Sequence, residues 1–335
     1  MTIKFVVAGT GWAAVEYLKA INKQDDSEVY GIVTQDTNRA KSLLEQLGIE
    51  ARIFTDYEEA VKDASADAVV LCSTPDVRPE QAILAAQYGK HMVIEKPMAM
   101  DRVSLEKMAK AIQNNPVHTV VSFVLRWNPS FETTKALIEN DALGRIYMAQ
   151  IDYWHFVGPQ YGQHRWSSKK RLGGSSMLSA GCHAVDAVRY FAGEISEVSA
   201  YSCATWKNSE YEFDPNAIAI FQLKNGGLGK VSSSLECKTP YKFNIHLLGE
   251  KGAIMDNKLY SHILPGQTDY AVIPTILPDS GDVSHHPFSM EIDEFVQAIL
   301  YDKAIRCDFF DGYKTMEACI AIDESIASGR GVVIS

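Results

Sequence analysis

Three short stretches of this 335-residue chain carry residue types and spacings that could do chemistry. Gly9-Thr10-Gly11-Trp12-Ala13-Ala14 fits G-x-G-x-x-A directly after the apolar run Ile3–Ala8. Where a strand meets a helix, the first glycine permits a tight turn and the second lets the backbone approach a pyrophosphate. The alanine lets the helix pack close to the strand. The helix N-terminus then offers unpaired N–H groups to the phosphates. Gly9, Thr10, Gly11, Trp12 and Ala13 are therefore candidate cofactor-binding residues. The second stretch, Glu95-Lys96-Pro97, ends the apolar run His91–Ile94. Ligands of open α/β sheets bind outside the carboxyl ends of strands. A lysine held there could give or take a proton; a surface lysine bonded to loop carbonyls is the plainer alternative. Ser73-Thr74-Pro75-Asp76 follows the run Ala68–Cys72 and belongs to the same edge. Third, Ser179, His183 and Asp186 fall at i, i+4 and i+7 of a predicted helix and share one face. A satisfied polar cluster is the plainer alternative here too. No G-x-S-x-G elbow supports Ser179 as a nucleophile. No three-ligand pattern of His and carboxylates supports a metal, and His285-His286 stands alone in a polar loop.

Cofactor preference is written at the end of the second strand. NAD-binding folds place Asp or Glu there for the adenosine ribose. This chain has Thr34-Gln35-Asp36, with Arg39 shortly after. Thr34 does not repel a 2'-phosphate and Arg39 could pair with one, which leans the expectation to NADP over NAD. Asp36 reaching back to a ribose is the competing possibility.

The elements that must hold these residues alternate in the first half. Strands are expected at Ile3–Ala8, Glu28–Val33, Ala68–Cys72, His91–Ile94 and Thr119–Leu125, with helices between them that stop at Gly48 and Gly89. This rhythm predicts a doubly wound parallel sheet. The second half holds strand-like runs joined by short turns, broken by a helix over Met177–Tyr190 and closed by two helices. It predicts an α+β domain with a large, open, mostly antiparallel sheet. The expected domains are 1–122 for the dinucleotide and 123–335 for substrate and oligomerisation.

Composition excludes other classes. Thirty-two basic against forty-two acidic residues give a net charge of -10, unsuited to a nucleic-acid surface. No apolar run is long enough to span a membrane. The six cysteines are scattered without a C-x-x-C pair, so a cytoplasmic chain with reduced thiols is expected.

Taken together the motifs resemble the glucose–fructose oxidoreductase/inositol dehydrogenase (Gfo/Idh/MocA) family. The resemblance rests on Gly9–Ala14, on Gly89-Lys90-His91 running into Glu95-Lys96-Pro97, and on Gly181-x-His183-x-x-Asp186. Arg126-x-Asn128-Pro129, Leu143-Gly144 and the stretch from Glu324 to Gly329 add to it. It covers essentially the whole chain. It implies NAD(P)-dependent oxidation or reduction of a sugar, cyclitol or related polyol, with Lys96 and His183 at the reacting hydroxyl or carbonyl. On that footing Ser73, Thr74, Pro75, Glu95, Lys96 and Arg126 are expected at the cofactor. Tyr153, His155, Arg165, Trp166, Ser179 and Asp186 are expected at the substrate. Two positions depart from the family: Ser179 where Asp is frequent, and Asp76 and Pro79 in place of Asn and His. A nucleotide-binding regulator without turnover, or redox-assisted elimination or hydrolysis with a retained cofactor, are the alternatives. A homodimer or homotetramer is expected, with Phe221, Leu223, Val231 and Ile245 on the covered sheet face.

Overall fold

A computed structural model describes residues 2–205, 210–278 and 286–334; His285 lies outside them. The chain divides into two compact units. The first is Met1–Val124 with Pro287–Tyr313, and the second is Leu125–His286 with Lys314–Ser335. The sequence assigns Pro287–Tyr313 to the second half, but its helix Phe288–Tyr301 packs on the first. Phe288 meets the rings of Trp12 and Tyr17, and Phe295 meets Phe5.

In the first unit the strands are β1 (Ile3–Ala8), β2 (Ser27–Val33), β3 (Arg52–Phe54), β4 (Ala68–Leu71), β5 (His91–Ile94) and β6 (Thr119–Val121). Their order is β3-β2-β1-β4-β5-β6 and every pair is parallel, as the alternation predicts. The central residues of these strands are mostly apolar and buried, as expected where helices cover both faces of a parallel sheet. Each large side chain buried there contributes roughly 1.5–3 kcal/mol. Gly48 ends the helix Thr37–Leu47 with φ 64°, the left-handed conformation glycine adopts without strain. The last strand stops at Val121, earlier than its apolar run suggests. A turn at Phe123 and a 3₁₀ turn over Val124–Trp127 then carry Arg126 off the sheet.

The second unit holds β7 (Ile146–Trp154), β8 (Ile195–Cys203), β9 (Asn216–Leu223), β10 (Leu228–Ser234), β11 (Lys242–Gly249), β12 (Gly252–Met255), β13 (Lys258–Ser261), β14 (Ala271–Val272) and β15 (Val332–Val333). Their order is β14-β13-β12-β11-β7-β10-β9-β8-β15, and the neighbours are antiparallel except the central pair β7 and β10. One face of this sheet carries the helix Cys182–Ala192. Phe221, Leu223, Val231 and Ile245 all point to buried positions. This corrects the expected oligomer surface: strand side chains alternate, and the residues on the other face of β9 and its neighbours are Tyr201, Ile218, Ile220 and Leu228. At the centre of that open face Asp152 accepts hydrogen bonds from Lys230 and Ser232, and Ser232 accepts one from Trp154. Among the described residues no helix is long and apolar enough to cross a membrane.

Candidate active site

Strand register alone assembles the edge of the first sheet. Val33 pairs with Ala8, Ala8 with Leu71, and Leu71 with Ile94. The residues that follow, Thr34, Gly9, Cys72 and Glu95, therefore form one row across the carboxyl ends of β2, β1, β4 and β5. Strand order reverses between β1 and β4, the switch point where such sheets bind ligands. Gly9 has φ 121°, and a Cβ on it would lie 3.0 Å from the Cys72 carbonyl oxygen, so glycine is required there. Gly11 caps the helix Trp12–Asn22, whose first turn has no side-chain cap and no acidic residue. A Cβ on Gly11 would meet nothing within 4 Å. There is thus room beside Gly11 at the start of this helix, and no side chain caps it. A dinucleotide pyrophosphate fits this geometry in charge and in room.

The second-strand end is arranged around Arg39. Its Nη2 donates to the Thr10 carbonyl at 2.9 Å, which lays the guanidinium against the glycine turn. Asp36 is the N-cap of the helix Thr37–Leu47, and Oδ1 accepts the Arg39 N–H at 3.0 Å. Thr34 Oγ1 accepts the Asp36 N–H, and Gln35 donates to the Thr55 carbonyl.

Lys96 is half-buried one residue past the row, and its backbone N–H donates to Glu95 Oε2 at 3.1 Å. Burial raises the pKa of the Glu95 carboxyl, while the charges of Lys96 and Arg78 oppose the rise. Arg78 is a residue the sequence does not single out. Its buried guanidinium donates to the carbonyls of Ser73 (2.6 Å), Glu95 (2.9 Å) and Pro97, and so braces the loop after β4 against the loop after β5. It stands beside the two departures, Asp76 and Pro79. The only sequence signal is an arginine next to Pro79 at a helix start, which reads as an ordinary first-turn charge. Ser73 also bonds Gln81, Thr74 accepts the Val77 N–H through its carbonyl, and Pro75 is buried.

In the second unit β7 brings Tyr153 and His155, two residues apart, to the buried face of the sheet. The helix Cys182–Ala192 lays His183 on the same face. The imidazole stacks on the Tyr153 ring at 6.1 Å and 18°, and the Tyr153 hydroxyl lies 3.3 Å from His155 Nδ1. Tyr161 and Tyr241 meet His155 edge-on. Burial holds the Tyr153 phenol far above its ordinary titration range, so it stays a neutral O–H.

Three of the expected site residues have protein partners in this structure. Met177–Gly181 is one turn of π-helix, so the i, i+4 spacing from Ser179 to His183 does not hold across it. Ser179 instead donates to the Ser175 carbonyl at 2.9 Å. Asp186, expected at the substrate, is buried in a two-pronged ion pair with Arg126, expected at the cofactor. Nε to Oδ2 is 2.8 Å and Nη2 to Oδ1 is 2.6 Å. Both side chains are occupied with each other because the turn after β6 points Arg126 into the second unit's core. Arg165 is exposed and Trp166 half-buried on the short helix His164–Ser167, and among the described residues neither joins the ring cluster around Tyr153. No group of three metal-ligating side chains comes together among the described residues.

A doubly wound parallel sheet with a glycine turn at its switch point, followed by an open-sheet domain, defines a dinucleotide-dependent oxidoreductase of two-domain type. A model of the oxidoreductase family with NAD-binding Rossmann fold matches residues 3–123, and one of the GFO/IDH/MocA C-terminal domain matches residues 131–255. The chain belongs to the Gfo/Idh/MocA family of NAD(P)-dependent oxidoreductases. It is 25% identical over 252 residues to a myo-inositol 2-dehydrogenase of Thermotoga maritima, covering 74% of this chain and 73% of that protein. It is 23% identical over 330 residues to a D-xylose 1-dehydrogenase (NADP(+)) of Haloferax volcanii, covering 98% of each. A solved structure of levoglucosan dehydrogenase in complex with NADH and levoglucosan superposes with a TM-score of 0.90 at 21% identity, over 100% of both chains.

Proposed function

We propose that this chain moves a hydride between the nicotinamide of NAD(P) and a carbon bearing a hydroxyl in a sugar, cyclitol or related polyol. Bound nicotinamide would supply or accept the hydride. Lys96 gives or takes the hydroxyl proton, and His183 shares that proton step. The observation that carries this reading is the register row ending at Glu95, with Lys96 one residue beyond it on the same edge as the open Gly9–Gly11 turn. Tyr153 and His155 are assigned to the substrate: a neutral phenol and an imidazole offer hydrogen bonds to hydroxyls, and the rings offer an apolar face to ring C–H groups. The names of the inositol and xylose relatives support a polyol. A screen of sugars and cyclitols with both cofactors, followed by absorbance of the reduced nicotinamide, tests the reading. Turnover of a sugar without net NAD(P)H change, with cofactor surviving gel filtration, would replace it by redox-assisted chemistry.

The cofactor is assigned as NADP or mixed. Arg39 lies against the glycine turn and Thr34 brings no carboxylate to the row. Thr34→Asp is expected to shift the ratio of affinities toward NAD by about tenfold or more, because a like charge beside a 2'-phosphate is costly. Isothermal titration with both dinucleotides checks it. An unchanged ratio, or a parent protein that strongly prefers NAD, overturns the assignment.

A symmetric homo-oligomer is assigned to the open sheet face. Ile218 and Ile220 are 53% and 58% exposed there, next to Tyr201 and Leu228. The Asp152–Lys230 pair at the centre supplies polar groups that a second copy would shield. Ile218→Glu with Ile220→Glu is expected to yield monomer in light scattering at micromolar concentration. A monomeric parent protein, or variants that stay associated, would count against this face.

A further inference from the structure

Arg78 opens the helix Arg78–Gln87, and no side chain caps that end. A cation is unfavourable there on two counts. The positive end of the helix dipole repels it, and the residue is only 3% exposed, away from the water that would solvate a guanidinium. A methionine would fill the same space with neither penalty. What the guanidinium adds is direction. Nη1 donates to two carbonyls, Glu95 at 2.9 Å and Pro97, and Nη2 donates to Ser73 at 2.6 Å. Nε is buried with no hydrogen-bond partner among the described residues, so the two terminal nitrogens do the holding. Glu95 and Pro97 are the residues on either side of Lys96. One nitrogen therefore grips the backbone just before and just after the lysine. The Lys96 N–H is held as well, by Glu95 Oε2 at 3.1 Å. Ser73 belongs to the neighbouring strand end. It follows Cys72, whose carbonyl oxygen would meet a Cβ on Gly9 at 3.0 Å. The third carbonyl thus ties the Lys96 backbone to the switch point of the sheet, within the first unit.

We propose that Arg78 is a positioning residue for Lys96: by gripping the Glu95 and Pro97 carbonyls and anchoring them to Ser73, it fixes where the lysine side chain leaves the backbone relative to the glycine turn. The proposal rests on Lys96 being the proton-transfer group. Proton transfer needs heavy atoms within about 2.6–3.2 Å of each other. Misplacing a reacting group by about 1 Å can lower a rate by about 10²-fold. A lysine carries its amine at the end of a long stem, so a small rotation of the backbone at Lys96 becomes a larger displacement of the amine. Lysine in place of Arg78 would keep the positive charge. It would present its donors from a single nitrogen on a flexible stem, without the fixed directions of a planar fork that spans two loops.

Amide hydrogen exchange of the whole chain, read by peptide mass spectrometry, tests the grip without requiring turnover. In Arg78→Lys and Arg78→Met, peptides covering residues 73–77 and 95–99 are expected to exchange about tenfold faster than in the parent, and to do so together, because one side chain holds both. Peptides of β9, in the second unit, serve as the reference and should not change. Single-turnover hydride transfer with myo-inositol and with D-xylose tests the consequence. Arg78→Lys should lose about 10²-fold, with dinucleotide affinity within about threefold of the parent. In a Lys96→Met background the same substitution should lose less than about threefold, because the group it places is gone. A role in general stability alone would lose the same factor in both backgrounds. Unchanged exchange in either segment, parent-like hydride transfer despite faster exchange, or equal losses with and without Lys96 overturns the proposal. Should Arg78→Met not fold, Arg78→Lys decides alone. Rates near those of the parent in Lys96→Met would instead sink the reading of Lys96 itself, and this role with it. No hydride transfer from any polyol would sink the substrate reading, and the exchange of the two segments would then decide whether Arg78 sets the Lys96 backbone.

Discussion

Replacing Lys96 by methionine is expected to lower single-turnover hydride transfer by about 10²–10⁴-fold, the usual scale for losing a general acid or base. Affinity for the dinucleotide should stay near that of the parent protein. The separation follows from where the contacts lie. As proposed, dinucleotide binding would draw on backbone N–H groups at the start of the helix after Gly11, on the open space beside Gly11, and on Arg39. None of these involves the Lys96 side chain. Methionine keeps the length and the apolar stem but has no proton to exchange. The Arg78 brace would survive, because it grips carbonyls of Ser73, Glu95 and Pro97 and not the lysine side chain. His183→Ala is expected to fall in the same range. The double variant should lose less than the product of the two single losses if both groups act on one proton. Rates near those of the parent in Lys96→Met would remove Lys96 from the mechanism and move the proton step to His183 or to water.

The parallel sheet was legible because each buried strand is a short apolar run closed by a glycine turn or a polar loop. β3 was not: Arg52-Ile53-Phe54 is three residues long at an edge, with its arginine exposed. The open sheet was legible in kind but not in facing. β9 carries apolar residues on both faces, Phe221 and Leu223 inward, Ile218 and Ile220 outward. Alternation separates two faces without saying which one a helix covers. Within the candidate site, the glycine turn and Lys96 could be read from local pattern, since each needs only its own strand. Arg78 and the Arg126–Asp186 pair could not, since their roles depend on partners far away in sequence: Glu95 and a helix sixty residues on. Charged side chains read as solvated until the packing that buries them is known. The π-turn at Met177–Gly181 broke a spacing argument that assumed 3.6 residues per turn throughout.

The buried pair leads to the other large effect. Asp186→Ala is expected to destabilise the second unit by about 3–5 kcal/mol, the range for stripping one partner from a buried ion pair. The Arg126 and Asp186 side chains are only 3% and 2% exposed. Arg126 presents two N–H groups to the two carboxylate oxygens, and its guanidinium lies 4.9 Å from the Tyr190 ring centre. Thr315 also donates to Asp186 at 2.8 Å, and Arg189 donates to Thr315 at 2.6 Å while holding Glu194 in a second fork. Removing the Asp186 carboxylate leaves a guanidinium in the core without its counter-charge. Removing both ends with apolar residues, Arg126→Met with Asp186→Leu, should recover most of the loss, since the cost lies in the orphaned charge more than in the missing attraction. Urea unfolding of the two single variants and the double, followed by a probe in the second unit, measures the coupling. The same experiment decides between the two roles available to Asp186. A substrate contact would raise KM in Asp186→Asn and leave the unfolding midpoint near that of the parent. A buried counter-ion one helical turn from His183 lowers the midpoint first, and changes kinetics only through the position of the imidazole that the helix carries.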